Sequence, residues 1–213
     1  MKKFCALTVV AVLLFAATSV FADSVPYIAL QIYDGTTTET WYAAADSAIP
    51  GYLNGSFNYN GWVVNATVMT YPLYGSVAVP RIDLNTIATG TGTLTVMASV
   101  VGFESVSPGA FTFAVGGTTS GTVDFAAYWD YLPGAFFTTA NELFNSGWLD
   151  PETSQFSYAY AGAIPEIATA YTLMAQMTSG ITSFDIDFRV PEPTSLILLG
   201  LGLLGIAGIR RKH

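Results

Sequence analysis

The stretch LTVMASVVGFESVSPGAFTFAVGGTTSGTVDFAAYW, Leu94 to Trp129, decides the fold. Leu94 to Phe103 is rich in Val and Thr and lies between Gly92 and the turn residues Ser107-Pro108-Gly109. Ala110 to Val115 follows and ends at Gly116-Gly117, and Thr122 to Trp129 continues the pattern. β-Branched and aromatic side chains suit a pleated, half-buried surface, while Gly, Pro and Ser punctuate it as turns. Three such runs in close succession predict short consecutive strands.

The same texture extends in both directions. Tyr27 to Tyr33 alternates and is followed by a turn at Asp34-Gly35; Thr38 to Ala44 is a short second run. Ser56 to Tyr71 mixes aromatic residues with Val and Thr and breaks near Gly61. Downstream, two segments are ambiguous. Thr138 to Asn145 fits one short helix on a surface crossing. Pro165 to Met177 is helical in composition, with Glu166 near its start, yet it also alternates at period two, with Tyr171, Leu173, Ala175 and Met177 on one face. Gly180 supplies a turn and Ser183 to Val190 alternates, which favours a hairpin of Ala168 to Thr178 with Thr182 to Arg189. The expectation is an all-β domain, a β-sandwich or jelly roll, with no internal repeat.

The two ends differ from this interior. Lys2 and Lys3 precede an apolar stretch, Phe4 to Ala17, and Val20-Phe21-Ala22 offers small or modest residues where a signal peptidase reads. Residues 1–22 therefore read as a signal peptide cleaved between Ala22 and Asp23. At the other end, Ser195 to Ile209 carries no charge and is dominated by Leu, Ile, Gly and Ala. As a helix it would be roughly 22 Å long, short of the roughly 30 Å hydrocarbon core, although snorkelling from Arg210, Arg211 and Lys212 extends its reach. The basic cluster predicts a cytoplasmic C-terminal end, with the interior of the chain exported. Gly200, Gly202 and Gly205 match a dinucleotide-binding spacing, but Pro193 precedes the run and the chain stops soon after, so these glycines read as membrane-helix packing residues.

Taken together, Val190-Pro191-Glu192-Pro193, the apolar run and Arg210-Arg211-Lys212 resemble the PEP-CTERM sorting domain. The resemblance covers residues 190–213. It implies processing by exosortase, an integral-membrane protease or transpeptidase with a catalytic cysteine, in a Gram-negative bacterium that makes extracellular polysaccharide. It implies delivery and leaves the role of the passenger open. The passenger also resembles those of other exported proteins of this kind in its Asp83-Leu84-Asn85 stretch, its Gly-rich strands and its closing Phe184-Asp185-Ile186-Asp187-Phe188, a likeness that carries no activity.

Setting aside residues 1–22 and 190–213 leaves an acidic passenger of 167 residues, 23–189, enough for one domain with a real core. It carries fourteen carboxylates against Arg81 and Arg189, a formal charge of −12, which repels nucleic acid and anionic lipid. Cys5 and His213, the chain's one cysteine and one histidine, both lie outside it. The passenger therefore lacks a Ser-His-Asp triad, a Cys-His pair, a disulfide and a His- or Cys-based metal site, and no cofactor is expected. Carboxylate chemistry remains, and a glycosidase would need two acidic groups across a sugar bond, but no motif marks such a pair.

Asp185 and Asp187 share a strand face and, with Asp83 or Asp34, could offer oxygen ligands to Ca²⁺; a solvated strand face is the favoured reading. Asn54-Gly55-Ser56 and Asn65-Ala66-Thr67 match the N-glycosylation sequon, read as coincidence in a bacterium. Of Trp41, Trp62, Trp129 and Trp148, Trp129 is the candidate for stacking on a sugar, because it sits among Tyr128, Asp130 and Tyr131 near a Pro-Gly turn. The alternative for all four is the core. The expected function is that of a non-enzymatic cell-envelope or matrix protein, structural or adhesive, with signal peptidase and exosortase as processing partners. A carbohydrate-binding module for extracellular polysaccharide is the alternative, and a carboxylate-dependent glycosidase the second.

Overall fold

A computed structural model describes residues 27–43, 51–71, 81–106, 109–132, 134–149, 154–165 and 168–190. Strands account for most of them: β1 (Tyr27–Tyr33), β2 (Thr38–Ala43), β3 (Tyr52–Tyr59), β4 (Trp62–Tyr71), β5 (Arg81–Gly90), β6 (Leu94–Val106), β7 (Gly109–Thr119), β8 (Val123–Asp130), β9 (Asn141–Asn145), β10 (Gln155–Ile164), β11 (Ala168–Met177) and β12 (Gly180–Arg189). They form two six-stranded antiparallel sheets, ordered β2-β1-β6-β11-β8-β9 and β10-β7-β12-β5-β4-β3. From β5 onward every connection except β8–β9 changes sheet. This interleaving of β10-β7-β12-β5 over β6-β11-β8-β9 is the double Greek-key winding of a jelly roll. β1 and β2 extend one sheet at β6, and β4 and β3 extend the other at β5.

Period-two alternation builds the core. On β12, Thr182, Phe184, Ile186, Phe188 and then Val190 are buried, while Asp185 and Arg189 are exposed. Ile82, Leu84, Thr86 and Ala88 of β5 lie beside them on the same face. The facing sheet contributes Val123, Phe125, Ala127 and Trp129 from β8 and Tyr171, Leu173, Ala175 and Met177 from β11. Ring pairs join the sheets: Phe125 meets Phe184 edge-on at 5.2 Å, and Tyr171 lies 5.2 Å from Phe188.

Several expectations need correction. Ala168 to Met177 and the residues after Gly180 are strands, but they do not pair as a hairpin. β11 lies between β6 and β8, and β12 between β7 and β5, in opposite sheets. Alternation identifies a half-buried strand and says nothing about its partner. The link is an arch held by Thr178 N–H to the Thr122 carbonyl (3.0 Å) and by Gly92 N–H to Ser179 Oγ (2.7 Å), with Gly180 at φ 136°. The helix expected from Thr138 to Asn145 is absent. Its second half is strand β9, whose Phe144 lies opposite Ala127 and packs into the core. Gly116-Gly117 does not end its strand, since β7 continues to Thr119. The break near Gly61 is the two-residue β3–β4 turn, with Asn60 at φ 47° and Gly61 at φ 83°, both positive as a type I′ hairpin requires.

The expected signal peptide with its Ala22/Asp23 cleavage, residues Pro191 to Pro193, the apolar run and Arg210-Arg211-Lys212 all lie outside the described residues. Among the described residues no helix is long and apolar enough to cross a membrane.

Candidate functional site: the exit of the chain into its tail

β12 is an interior strand, paired on one side with β5 from Gly180↔Gly90 to Arg189↔Arg81 and on the other with β7 from Thr182↔Thr119 to Arg189↔Thr112. Val190 follows at once and is fully buried in the core. No spacer separates the last strand from Pro191. The passenger's two cations stand at this exit. Arg81 Nε donates to Asp187 Oδ1 at 3.0 Å and its Nη2 lies 3.5 Å from Asp83 Oδ2, while Arg189 Nε donates to Asp187 Oδ2 at 2.7 Å. Burial opposes the charge on Asp187, but the hydrogen bonds from Arg189 and Arg81 outweigh it and hold its carboxyl below the usual carboxylate range. Asp83, directly opposite Asp187, is pushed up, chiefly by burial, against the lowering effect of Arg81.

This network answers the calcium expectation. Asp83 and Asp187 do meet, but two guanidinium groups occupy their oxygens, and Asp185 is exposed opposite Asn85. Asp34 lies at the other end of the sandwich, beside the start of β6, where its carboxylate accepts Thr36 N–H (2.9 Å), Thr37 N–H (2.7 Å) and Asn60 Nδ2–H (2.8 Å). Among the described residues no group of three or more His, Cys, Asp or Glu side chains is placed to hold a metal ion.

The carboxylates predict an acid-side stability maximum. Asp34 is lowered to about 2, first by the Thr37 backbone hydrogen bond, and Asp187 is lowered as well; such groups stabilise the fold above the unfolded value near 3.8 and lose that contribution below it. Asp83 and Asp124 are raised, both chiefly by burial, so the folded state gains protons, and stability, as pH falls toward 3.8. The melting temperature is expected to rise from pH 7 to about pH 4 and to fall steeply between about pH 3.8 and 2. Thermal unfolding across that range checks the sign; a monotonic fall from pH 7 contradicts it.

The aromatic candidates sort clearly. Trp129 faces inward and is 5% exposed, so its proposed role in sugar stacking at the surface is corrected: its neighbours Tyr128 and Asp130 point to the outer face, and strand alternation sends Trp129 to the core. Trp62 is buried and Trp41 packs against the core, leaving Trp148 as the exposed tryptophan at 52%. Sequence reasoning missed the aromatic surface on the outer face of the sheet that contains β2 and β8. There Tyr42, 61% exposed, meets Phe136 edge-on at 5.6 Å, and Tyr131 and Leu132 stand exposed in the same β8–β9 connection.

That connection is strapped across the sheet. Asp130 accepts Leu132 N–H (2.8 Å) and Thr138 Oγ–H (3.0 Å), and Phe137 N–H donates to the buried Ser99 hydroxyl (3.2 Å). Phe137 sits at φ 56°, a left-handed conformation that bulky residues rarely adopt. Removing the carboxylate by Asp130→Ala should cost about 1.5–3 kcal/mol, and limited proteolysis should move to residues 131–140. An unchanged cleavage pattern would contradict the strap.

The deciding comparison concerns the exit. The family model described as the PEP-CTERM protein-sorting motif matches residues 189–212. The chain carries a PEP-CTERM sorting motif. The match begins at the last residue of β12, so the PEP-CTERM motif and the fold share Arg189 and adjoin at Val190. The motif implies export, C-terminal membrane anchoring before processing, and sorting by an exosortase-type system.

No curated protein matches the chain in sequence. Among solved structures, the K1 cleaved adhesin domain of Lys-gingipain from Porphyromonas gingivalis W83 is similar at 13% identity and a TM-score of 0.38, covering 67% of this chain and 98% of that one. The ribosomal oxygenase YcfD from Escherichia coli is similar at 11% identity and a TM-score of 0.25, covering 82% of this chain and 43% of that one. This chain thus matches less than half the length of the oxygenase. Likeness this distant carries no argument about function.

Proposed function

We propose that the acidic β-domain of residues 23–189 is a non-enzymatic, structural or adhesive component of the cell envelope or extracellular matrix. On this reading a signal peptide cleaved after Ala22 exports it, the C-terminal helix anchors it in the inner membrane, and an exosortase-type protease releases or transfers it at Pro191-Glu192-Pro193. The observation that carries the reading is the direct passage of β12, through buried Val190, into the sorting motif. A passenger without histidine, cysteine or lysine, delivered by such a tail, suits a building or adhesive element better than a catalyst. The arginine pairing of Asp83 and Asp187 also ties these two facing carboxylates into ion pairs and away from acid–base work.

Cell fractionation tests it. The wild-type chain is expected at the cell surface or in extracellular material, and a chain with Pro191, Glu192 and Pro193 all replaced by Ala is expected to stay in the inner membrane. A wild-type chain confined to the inner membrane would overturn the reading.

A second reading, a module that binds extracellular polysaccharide, is favoured by the exposed Tyr42, edge-on to the half-buried Phe136, and by the exposed Tyr131 in the same β8–β9 connection as Phe136. Affinity electrophoresis in the strain's own polysaccharide should retard the wild type more than Tyr42→Ala; equal mobility with and without polysaccharide dismisses it.

A further inference from the structure

β10 presents an outer strand edge from Phe156 to Ala163. β10 pairs with β7 over ten consecutive residues, Gln155↔Thr118 to Ile164↔Gly109, without a register shift. It is the outermost strand of its sheet, so among the described residues no strand pairs with its other side. From Phe156 to Ala163 the sequence is FSYAYAGA, with no charge and no proline. Natural edge strands are ordinarily protected by charge, proline, a bulge or shortness. Of the other three edges, β2 carries Glu39, and β9 has five residues, Glu142 and a register shift against β8; β3 is also uncharged but is shorter, eight residues against the ten of β10. On the inner side of β10, Tyr158 and Tyr160 rest on Phe144 with ring centroids 5.3 and 5.0 Å away. Ser157, Ala159, Ala161 and Ala163 are exposed.

A row of backbone donors and acceptors is complemented by another extended strand. β7, behind β10, is also uncharged from Gly109 to Thr119, so the passenger's charge of −12 is carried elsewhere. A cationic peptide would find no carboxylate on these two strands, whereas a second copy of the chain brings an equally neutral edge and meets no like charge.

We propose that the exported domain self-associates through β10, two copies pairing these strands antiparallel about a twofold axis so that their six-stranded sheets join. This rests on the structural or adhesive reading above and supplies its partner. The direction of the strands sets the geometry. β10 is antiparallel to β7 and β7 is antiparallel to β12, so β10 and β12 run the same way. In an antiparallel β10 pair the two β12 strands, and the tails after them, leave at opposite ends. The pair therefore links copies on facing surfaces, or released copies, and not neighbours standing upright on one membrane. Because each domain is strongly acidic, salt strengthens the pairing.

The chain's single cysteine makes a clean test possible. In full-length Cys5→Ser chains, single cysteines replace Ser157, Ala159, Ala161 or Ala163, and Ser56→Cys on β3 serves as comparator. A twofold antiparallel pair sets each outward residue opposite itself or another outward residue, at Cα separations of about 4.5–5.5 Å, within disulfide reach. Two cell populations carrying differently tagged chains are mixed and mildly oxidised, testing each variant alone and in pairwise mixtures. At least one β10 combination is expected to give a tag-to-tag disulfide dimer at ten or more times the Ser56→Cys yield, increased by salt and lost when a second β10 alanine is replaced by lysine. Yields no higher than Ser56→Cys in every combination overturn the proposal. Labelling of the same cells before oxidation with a membrane-impermeant maleimide-biotin, which reacts with the introduced cysteine and is needed because the passenger has no lysine, separates the two failures: an unlabelled chain refutes the envelope reading, and the same cysteine scan on purified full-length chains in detergent then decides the pairing alone.

Discussion

A chain carrying Gly117→Val is expected to yield no folded domain, while Gly116→Ala, one residue away, is expected to fold within about 0.5 kcal/mol of the wild type. Gly117 faces inward on β7 and lies opposite Phe184 of β12 and Phe156 of β10. A Cβ there would sit 2.1 Å from the Ser183 carbonyl oxygen, 2.8 Å from Phe184 Cα and 2.9 Å from the Phe156 ring. Two of those three atoms are backbone of the central strand β12, which cannot move without breaking its pairing on both sides. Overpacking a core costs about 1–3 kcal/mol where neighbours adjust, and more where they cannot, so even Gly117→Ala should cost about 3 kcal/mol. At Gly116, on the outer face, a Cβ meets only the Phe156 carbonyl oxygen, at an ordinary 3.8 Å. Circular dichroism with urea unfolding of the paired variants decides this. Equal stability of Gly116→Ala and Gly117→Ala would show that β7 and β12 do not approach as described.

Phe125→Ala is the second large effect, about 3–5 kcal/mol of stability. Phe125 is fully buried and touches the opposite sheet twice, edge-on to Phe184 at 5.2 Å and tilted to Phe156 at 5.4 Å. Truncation leaves a cavity between the sheets beside β8 and β12, each held by two neighbouring strands and unable to collapse inward. A domain of this size has only about 5–15 kcal/mol to lose, so the variant should unfold at markedly lower urea with an unchanged slope. A loss below about 1 kcal/mol would contradict the packing of β8 against β12.

Much of the architecture was legible in the sequence, because alternation and turn residues are local signals. Tyr27 to Tyr33, Leu94 to Phe103 and Ser183 to Val190 were read as strands, and each is part of one. Pairing was not legible. β11 and β12 adjoin in sequence, yet each pairs on both sides with strands remote from it, and nothing local in Thr178-Ser179-Gly180 distinguishes an arch from a hairpin. β5 and β10 escaped notice for different reasons. β5 mixes Arg81, Asp83 and Asn85 into its alternation because its outer face carries the ion-pair network. β10 alternates aromatic residues with alanine, serine and glycine, which have weak strand propensity. The polar neighbours of Trp129 point to a surface position, yet a strand sends successive residues to opposite faces, so with Tyr128 and Asp130 on the outer face Trp129 enters the core. The contact of exposed Tyr42 with half-buried Phe136 joins residues far apart in the chain, which no local pattern could bring together.

The sorting motif was legible because its parts are contiguous. The fold adds that the motif starts without a spacer. Arg189 closes β12 and pairs with Asp187, Val190 is fully buried, and the matched segment begins at that strand end. In sequence, Pro191-Glu192-Pro193 follows at once on the buried Val190. Mass spectrometry of the C-terminal peptide of the protein recovered from the cell surface tests processing there most directly. The predicted result is a chain that ends after Val190, in or next to Pro191-Glu192-Pro193, with Ser195 to His213 gone. Surface protein that still carries Arg210-Arg211-Lys212 would contradict it.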